Sequence, residues 1–190
     1  MSVPIEEYCD DYRANGFVLI RDFVAEDEVA RLWSSCCTAP VHRCHVGDKQ
    51  VTWGEATLSA GHPGHDYFRQ GHVRDLVEGL APVEVAPEIH CWISLYQERE
   101  YIGPHRDRSG VLQMLVCLQS PRNPSSGGHL VLADSPIFLR SGDAVIFAAT
   151  HVEHRTTPLR RTATDPAPVR AVLVGRCYAK SPIWSSHRPG

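Results

Sequence analysis

Tyr101-Ile-Gly-Pro-His105-Arg-Asp107 stands between two β-prone runs, Ile89 to Tyr96 and Val111 to Leu118. Side chains two apart on an extended segment project to the same side, so His105 and Asp107 can hold one ion together. By itself this pair is a weak signal. With 11 histidines in 190 residues, about one chance His-x-Asp is unsurprising.

Working outward, the chain after Pro87 reads as a series of short strands. His129 to Ala133, Ile137 to Arg140, Ala144 to Phe147 and Val169 to Tyr178 join the two runs already named. Gly103-Pro104, Pro121 to Gly128, Ser141-Gly142-Asp143 and Asp165 to Pro168 separate them as turn signals. Before Pro87 the texture differs. Ile5 to Ala14 suits a helix, and Gly16-Phe-Val-Leu-Ile-Arg a strand. Ala25 to Cys36 carries Val29, Leu32 and Trp33 at about helical spacing, and His72 to Leu80 is a further helix. Ala39 to His65 is polar and aperiodic, a long loop of the kind that carries a substrate lid. Helices first and many short strands afterwards predict an α+β fold. Its core is a jelly roll (double-stranded β-helix) with the N-terminal helices packed on one sheet. A length of 190 residues is expected to form one domain, 1–190.

The composition is ordinary for a globular protein, 43% apolar and 22% charged. A net charge of -3, with Lys49 and Lys180 the only lysines, argues against a broad nucleic-acid or anionic-membrane surface. No apolar run approaches the ~20 residues that span a bilayer. The opening MSVPIEEYCDD is acidic and does not resemble a secretory signal, so a cytoplasmic location is expected. The seven cysteines include no CxxC pair, which predicts reduced thiols. His42, Cys44 and His45 form a small cluster with metal-binding residue types, and a solvated loop is the reading preferred there.

Weight comes to the His-x-Asp pair from three runs that follow it in order. Ser125-Ser-Gly-Gly-His-Leu-Val-Leu is a turn into a strand, and Gly142-Asp-Ala-Val-Ile-Phe147 a tight turn into an apolar strand. His154-Arg-Thr-Thr-Pro158 comes third, followed by Arg170 inside Val169-Arg-Ala-Val-Leu-Val. Two histidines and one carboxylate on one face of an octahedral ion leave three positions open, as an oxygen-activating Fe(II) enzyme requires. A cationic residue on a strand inside a barrel is costly unless it meets an anion. The far carboxylate of 2-oxoglutarate is such an anion, and arginine grips it with two prongs.

With these residues in this order the chain resembles the Fe(II)/2-oxoglutarate dioxygenase superfamily, particularly its phytanoyl-hydroxylase-like and prolyl-hydroxylase-like branches. The resemblance runs from about Tyr12 to Tyr178. It includes the opening Tyr12-Arg-Ala-Asn-Gly-Phe-Val-Leu-Ile-Arg-Asp-Phe-Val. It implies that His105, Asp107 and His154 bind Fe(II), that Arg170 binds the C5 carboxylate of 2-oxoglutarate, and that Tyr96 contacts the same cosubstrate. It implies O2 as the oxidant, with succinate and CO2 as co-products. Arg176 lies on the same strand face as Arg170, six residues on, and is a second candidate for holding cosubstrate or substrate. Two departures stand out. Gln97-Glu98-Arg99 occupies a place where relatives commonly have a glycine, and the stretch from His154 to Arg170 is longer than usual, with Asp165 to Pro168 as an insertion.

Several residues compete. His151 rivals His154 as the second histidine ligand, although Arg155 to Pro158 follow His154 in the family manner. Arg160 and Arg161 rival Arg170 from a loop-like stretch. Trp92 and Ser94 share a strand face with Tyr96, and Trp92 is read as core in preference to a substrate-stacking role. Gln113 either faces the site or is a strand-edge polar residue, and His129 is read as a satisfied core histidine in preference to one facing the site. His62, His65, Tyr67 and Phe68 either line a lid or lie on a solvated loop, which is the preferred reading.

The expected function is oxidation of an unactivated C–H bond in a small molecule, such as an amino acid, a peptide-bound residue or a secondary metabolite, with no membrane partner. Oxidative demethylation of alkylated nucleobases is an alternative. The Arg170/Arg176 spacing resembles the arginine spacing of that branch, and the negative charge opposes it. A non-catalytic metal- or ligand-binding jelly roll is a second alternative, because a fold alone does not establish catalysis.

Overall fold

The computed structural model describes residues 5–45 and 52–180. Helix α1 (Ile5–Asn15) leads into strand β1 (Phe17–Ile20) and helix α2 (Glu26–Cys36). Strands β2 (His42–His45) and β3 (Thr52–Leu58) precede helices α3 (Pro63–Tyr67) and α4 (Gly71–Leu80). Six of the remaining strands are β4 (Val85–Tyr96), β5 (Leu112–Gln119), β6 (Leu130–Leu132), β7 (Ser135–Ile137), β8 (Ala144–Phe147) and β9 (His154–Thr156). The last is β10 (Arg170–Ala179).

The strands form a seven-stranded sheet in the order β1-β8-β5-β10-β4-β3-β2 and a three-stranded sheet in the order β7-β6-β9. All named pairings are antiparallel. The centre of the large sheet is buried on both faces, which is why Ala171 to Val174 of β10 reads as an apolar run rather than an alternating one. Ala171 and Leu173 join Leu32, Val73 and Leu76 of the helices in one core. Val172 and Val174 point the other way and join Leu130, Leu132 and Phe147 in a second core between the sheets. This is the expected α+β jelly roll, with the helices on the outer face of one sheet.

The Ala39–His65 stretch departs from its reading as a loop. β2 pairs with β3, β3 pairs with β4 from Gly54↔Leu95 to Leu58↔Cys91, and α3 begins at Pro63. On β3 only Gly54, Ala56 and Leu58 face the helices, while Trp53 and Glu55 face inward. Polar residues on both sides of that alternation hide it from a periodicity reading. Residues 46–51 of the stretch lie outside the described residues. His65, Tyr67 and Phe68 are buried under the large sheet rather than solvated.

The run read as a strand from Ile137 to Arg140 is also displaced, since β7 ends at Ile137. Its hairpin with β6 turns through Ala133 and Asp134, both at positive φ (44° and 69°). Two central residues in that region make the hairpin turn whose twist suits flanking strands. Neither is glycine, so the sequence carries no strong sign of it. β7 is an edge strand, where Pro136 is tolerated.

The turn Ser141-Gly142-Asp143 ties the helical layer to β8. Gly142 has φ 91°, and a Cβ there would lie 2.7 Å from the Val24 carbonyl oxygen. The Asp143 side chain is fully buried and accepts hydrogen bonds from the Arg140 amide (2.8 Å), the Asp22 amide (3.1 Å) and Arg21 Nη1 (2.6 Å). Burial pushes its carboxyl pKa up, but these donors together pull it below the ordinary value. A depressed carboxyl pKa stabilises the fold above the unfolded-state pKa, and the contribution disappears as pH falls through the folded-state value. Asp143→Asn is therefore expected to cost about 3 kcal/mol at neutral pH. Urea denaturation should show the deficit narrowing in acid.

Candidate metal and cosubstrate site

His105 and His154 face each other across a short antiparallel bridge. The His105 amide donates to the His154 carbonyl (3.1 Å), and the His154 amide donates to the His105 carbonyl (2.9 Å). The Asp107 amide donates to the Ala149 carbonyl (2.9 Å), so the connection from β4 to β5 is stitched to the entry of β9. The imidazole centroids lie 4.1 Å apart. Side-chain donor atoms of His105, Asp107 and His154 all fall within 4.8 Å of one another.

The histidine tautomers suit ligation. His105 Nδ1 lies 2.9 Å from the Gly103 carbonyl and His154 Nδ1 lies 3.1 Å from the Val152 carbonyl. A carbonyl can only accept, so each Nδ1 carries the hydrogen and each Nε2 keeps its lone pair for a metal. Burial first, and then the adjacent His105, hold the His154 pKa below its ordinary value, which favours the neutral ligating form. His154 Nε2 stands 3.8 Å from Asp107 Oδ2.

His151, the rival ligand, is exposed and its Nδ1 sits 2.9 Å from the Thr150 hydroxyl. It lies outside the three-residue cluster. His129 stacks edge-on against Phe138, with ring centroids 5.7 Å apart. Arg161 pairs with Glu98, and Arg160 is exposed.

The cluster opens into a cavity of about 620 Å³ between the two sheets. Trp92, Ser94, Tyr96, Gln113, Arg170 and Arg176 all line it. Arg170 pairs in register with Tyr96, and its guanidinium carbon lies 5.0 Å over the Tyr96 ring centroid. Arg170 is only 2% exposed, yet among the described residues neither Nη1 nor Nη2 has a hydrogen-bond partner. The insertion before it is folded rather than loose. Thr162 and Asp165 bridge to each other, and Asp165 accepts from the Arg122 amide (3.0 Å), which returns the chain in time to set Arg170 opposite Tyr96. Gly127, at φ 77°, admits the Pro158 carbonyl beside it, where a Cβ would lie 2.2 Å from that oxygen.

Arg176 is placed differently. Gln113, its register partner on β5, accepts from Nε (3.1 Å) and Nη2 (2.8 Å), and Trp92 lies beneath the guanidinium at 5.0 Å. Nη2 also stands 2.6 Å from Asp107 Oδ2. Its N–H bonds are aimed at Gln113, so that oxygen has a cation beside it but no hydrogen bond. The contact offsets the carboxylate charge and leaves its lone pairs open. Sequence reading paired Arg176 with Arg170 by spacing alone. The Arg176–Asp107 contact depends on how the loop closes, and no residue pattern announces it. Trp53, Glu55 and Tyr101 also line the cavity without having been singled out for it.

Solved structures of Fe(II)- and 2-oxoglutarate-dependent oxygenases share this fold. One is a prolyl-4-hydroxylase from Pseudomonas putida, with TM-score 0.74 and 18% identity over 93% of this chain and 100% of that one. Another is a 2OG-Fe(II) oxygenase family oxidoreductase from Burkholderia pseudomallei, with TM-score 0.73 and 16% identity over 94% and 92% of the two chains. A third is HygX from Streptomyces hygroscopicus with nickel and 2-oxoglutarate bound, with TM-score 0.73 and 10% identity over 95% and 89%. No protein-family model and no curated protein sequence matches the chain. All seven cysteines are free thiols, and no helix among the described residues is long and apolar enough to cross a membrane.

Proposed function

We propose that this protein is an Fe(II)- and 2-oxoglutarate-dependent oxygenase that oxidises a C–H bond of a small molecule. The observation that carries the reading is Arg170: a buried guanidinium with both terminal nitrogens unpartnered among the described residues, in the same cavity as His105, Asp107 and His154. A cation so placed is costly unless an anion joins it. The 2-oxoglutarate bound to HygX, a protein of the same fold, supports a dicarboxylate as that anion.

The residues present fit both groups. His105 Nε2, His154 Nε2 and an Asp107 oxygen would hold the metal, and Arg170 would hold the C5 carboxylate beside Tyr96. Together, Fe(II) and 2-oxoglutarate supply oxygen activation, with succinate and CO2 as co-products. The chain's own part is positioning. Arg176 and Gln113 steady the Asp107 side, and the Gly103 and Val152 carbonyls fix the two imidazoles. Leu115, Phe147 and Val174 give the cavity apolar walls that keep water from the reacting centre.

Anaerobically purified protein given Fe(II) and 2-oxoglutarate should form succinate when air is admitted. Succinate should rise with a matching small molecule and vanish in His105→Ala. Iron-loaded protein that yields no succinate with any amino-acid, peptide or metabolite candidate overturns the reading. A rise seen only with alkylated single-stranded DNA transfers the activity to nucleobase demethylation.

A further inference from the structure

Beyond the proposed oxygenase site, His42, Cys44 and Glu55 bring three metal-ligating side chains of different chemistry together on β2 and β3. The register pairs His42 with Glu55 and Cys44 with Trp53. Directly opposed residues of an antiparallel pair share a face, so all four side chains lie on the same side of the sheet. Glu55 and Trp53 also line the cavity, so the trio sits where the cavity wall meets the edge of the sheet. His45, the third member of the cluster seen in the sequence, falls on the opposite face by strand alternation. Glu55 replaces it from the neighbouring strand.

We infer that His42, Cys44 and Glu55 form a second metal site, for a borderline-soft divalent cation such as zinc. Their donor atoms lie within 4.8 Å of one another. Metal–donor distances of about 2.0–2.3 Å set tetrahedral donors roughly 3.5 Å apart, so closure requires side-chain adjustments only. His42 is exposed and free to swing, and Cys44 is half-buried. Trp53 Nε1 donates to Glu55 Oε2 (3.2 Å), which orients the carboxylate and leaves Oε1 for the metal. No Lys or Arg forms an ion pair with Glu55 among the described residues. On binding, Cys44 releases its thiol proton to solvent as the metal–sulfur bond forms. Three protein ligands leave a fourth position for water or an entering group.

The sites differ in one chemically visible respect, because only the second contains sulfur. Full-length protein stripped with chelator and titrated with Co(II) should bind two ions per chain. One should show the near-ultraviolet charge-transfer band of a Co(II)–thiolate bond. His105→Ala should lose one ion and keep the band. Cys44→Ser should lose the band and keep one ion, and His42→Ala, at an exposed position, should weaken the band's metal affinity at least tenfold. Zn(II) should displace the band's Co(II). A single bound ion with no thiolate band overturns the inference, as does a band that survives in Cys44→Ser. Neither outcome touches the oxygenase reading, which the succinate assay tests separately.

Discussion

Arg170→Met is expected to do two opposite things: make the unliganded protein more stable and make it bind 2-oxoglutarate roughly 100- to 1,000-fold more weakly. The first effect follows from the cost of a buried cation whose terminal nitrogens have no partner. Replacing buried charge with apolar groups of similar volume is often neutral or stabilising, by about 1–4 kcal/mol. Methionine keeps the flexible stem that packs near Gly128, so the change creates little cavity. The second effect follows from losing a two-pronged, desolvated grip on a carboxylate. Truncating one partner of a buried charge pair costs about 2–5 kcal/mol. Thermal melting without ligand and calorimetric titration of 2-oxoglutarate into metal-loaded protein measure the two separately. A variant that melts lower and binds 2-oxoglutarate as before would show the guanidinium to be structural.

His154→Ala and His151→Ala, compared side by side, should differ by at least ~10³ in turnover. His154 supplies one of three donors to the proposed iron, and its loss leaves the metal with His105 and Asp107 alone. His151 is exposed, three residues away and outside the cluster, so its replacement should leave iron stoichiometry and succinate formation near wild type. Iron content by elemental analysis and succinate yield are the readouts. Loss of iron in His151→Ala, with retention in His154→Ala, would reverse the ligand assignment.

How much of this was legible beforehand varies from one element to the next. Helices α1, α2 and α4 and the long strands were, because α2 and α4 keep apolar residues at helical spacing and β5, β8 and β10 are largely apolar runs between turn residues. β9 was not, because a three-residue strand has no period to detect and forms only by pairing with β6. β2 and β3 were missed for a related reason: Trp53 and Glu55 face the cavity and β2 is a largely exposed edge strand, so neither strand shows the usual apolar alternation.

The same division holds within the site. His105 and Asp107 share a face because one residue separates them on an extended segment, a local property of the chain. Arg170, too, could be marked out from sequence, because a cation in an apolar strand needs an anion wherever that strand is buried. Sequence preferred His154 over His151 through the Arg155 to Pro158 run that follows it, and the tertiary structure adds an independent reason. That reason is the backbone bridge that turns His154 inward opposite His105. The separate fates of Arg170 and Arg176, which look equivalent along β10, were tertiary. One meets Tyr96 and keeps its nitrogens open, while the other meets Gln113 and Asp107. Sequence sets which residues share a face of a strand, through the alternation of the chain. Which neighbours lie across that face is set by register and loop closure, which long-range packing decides.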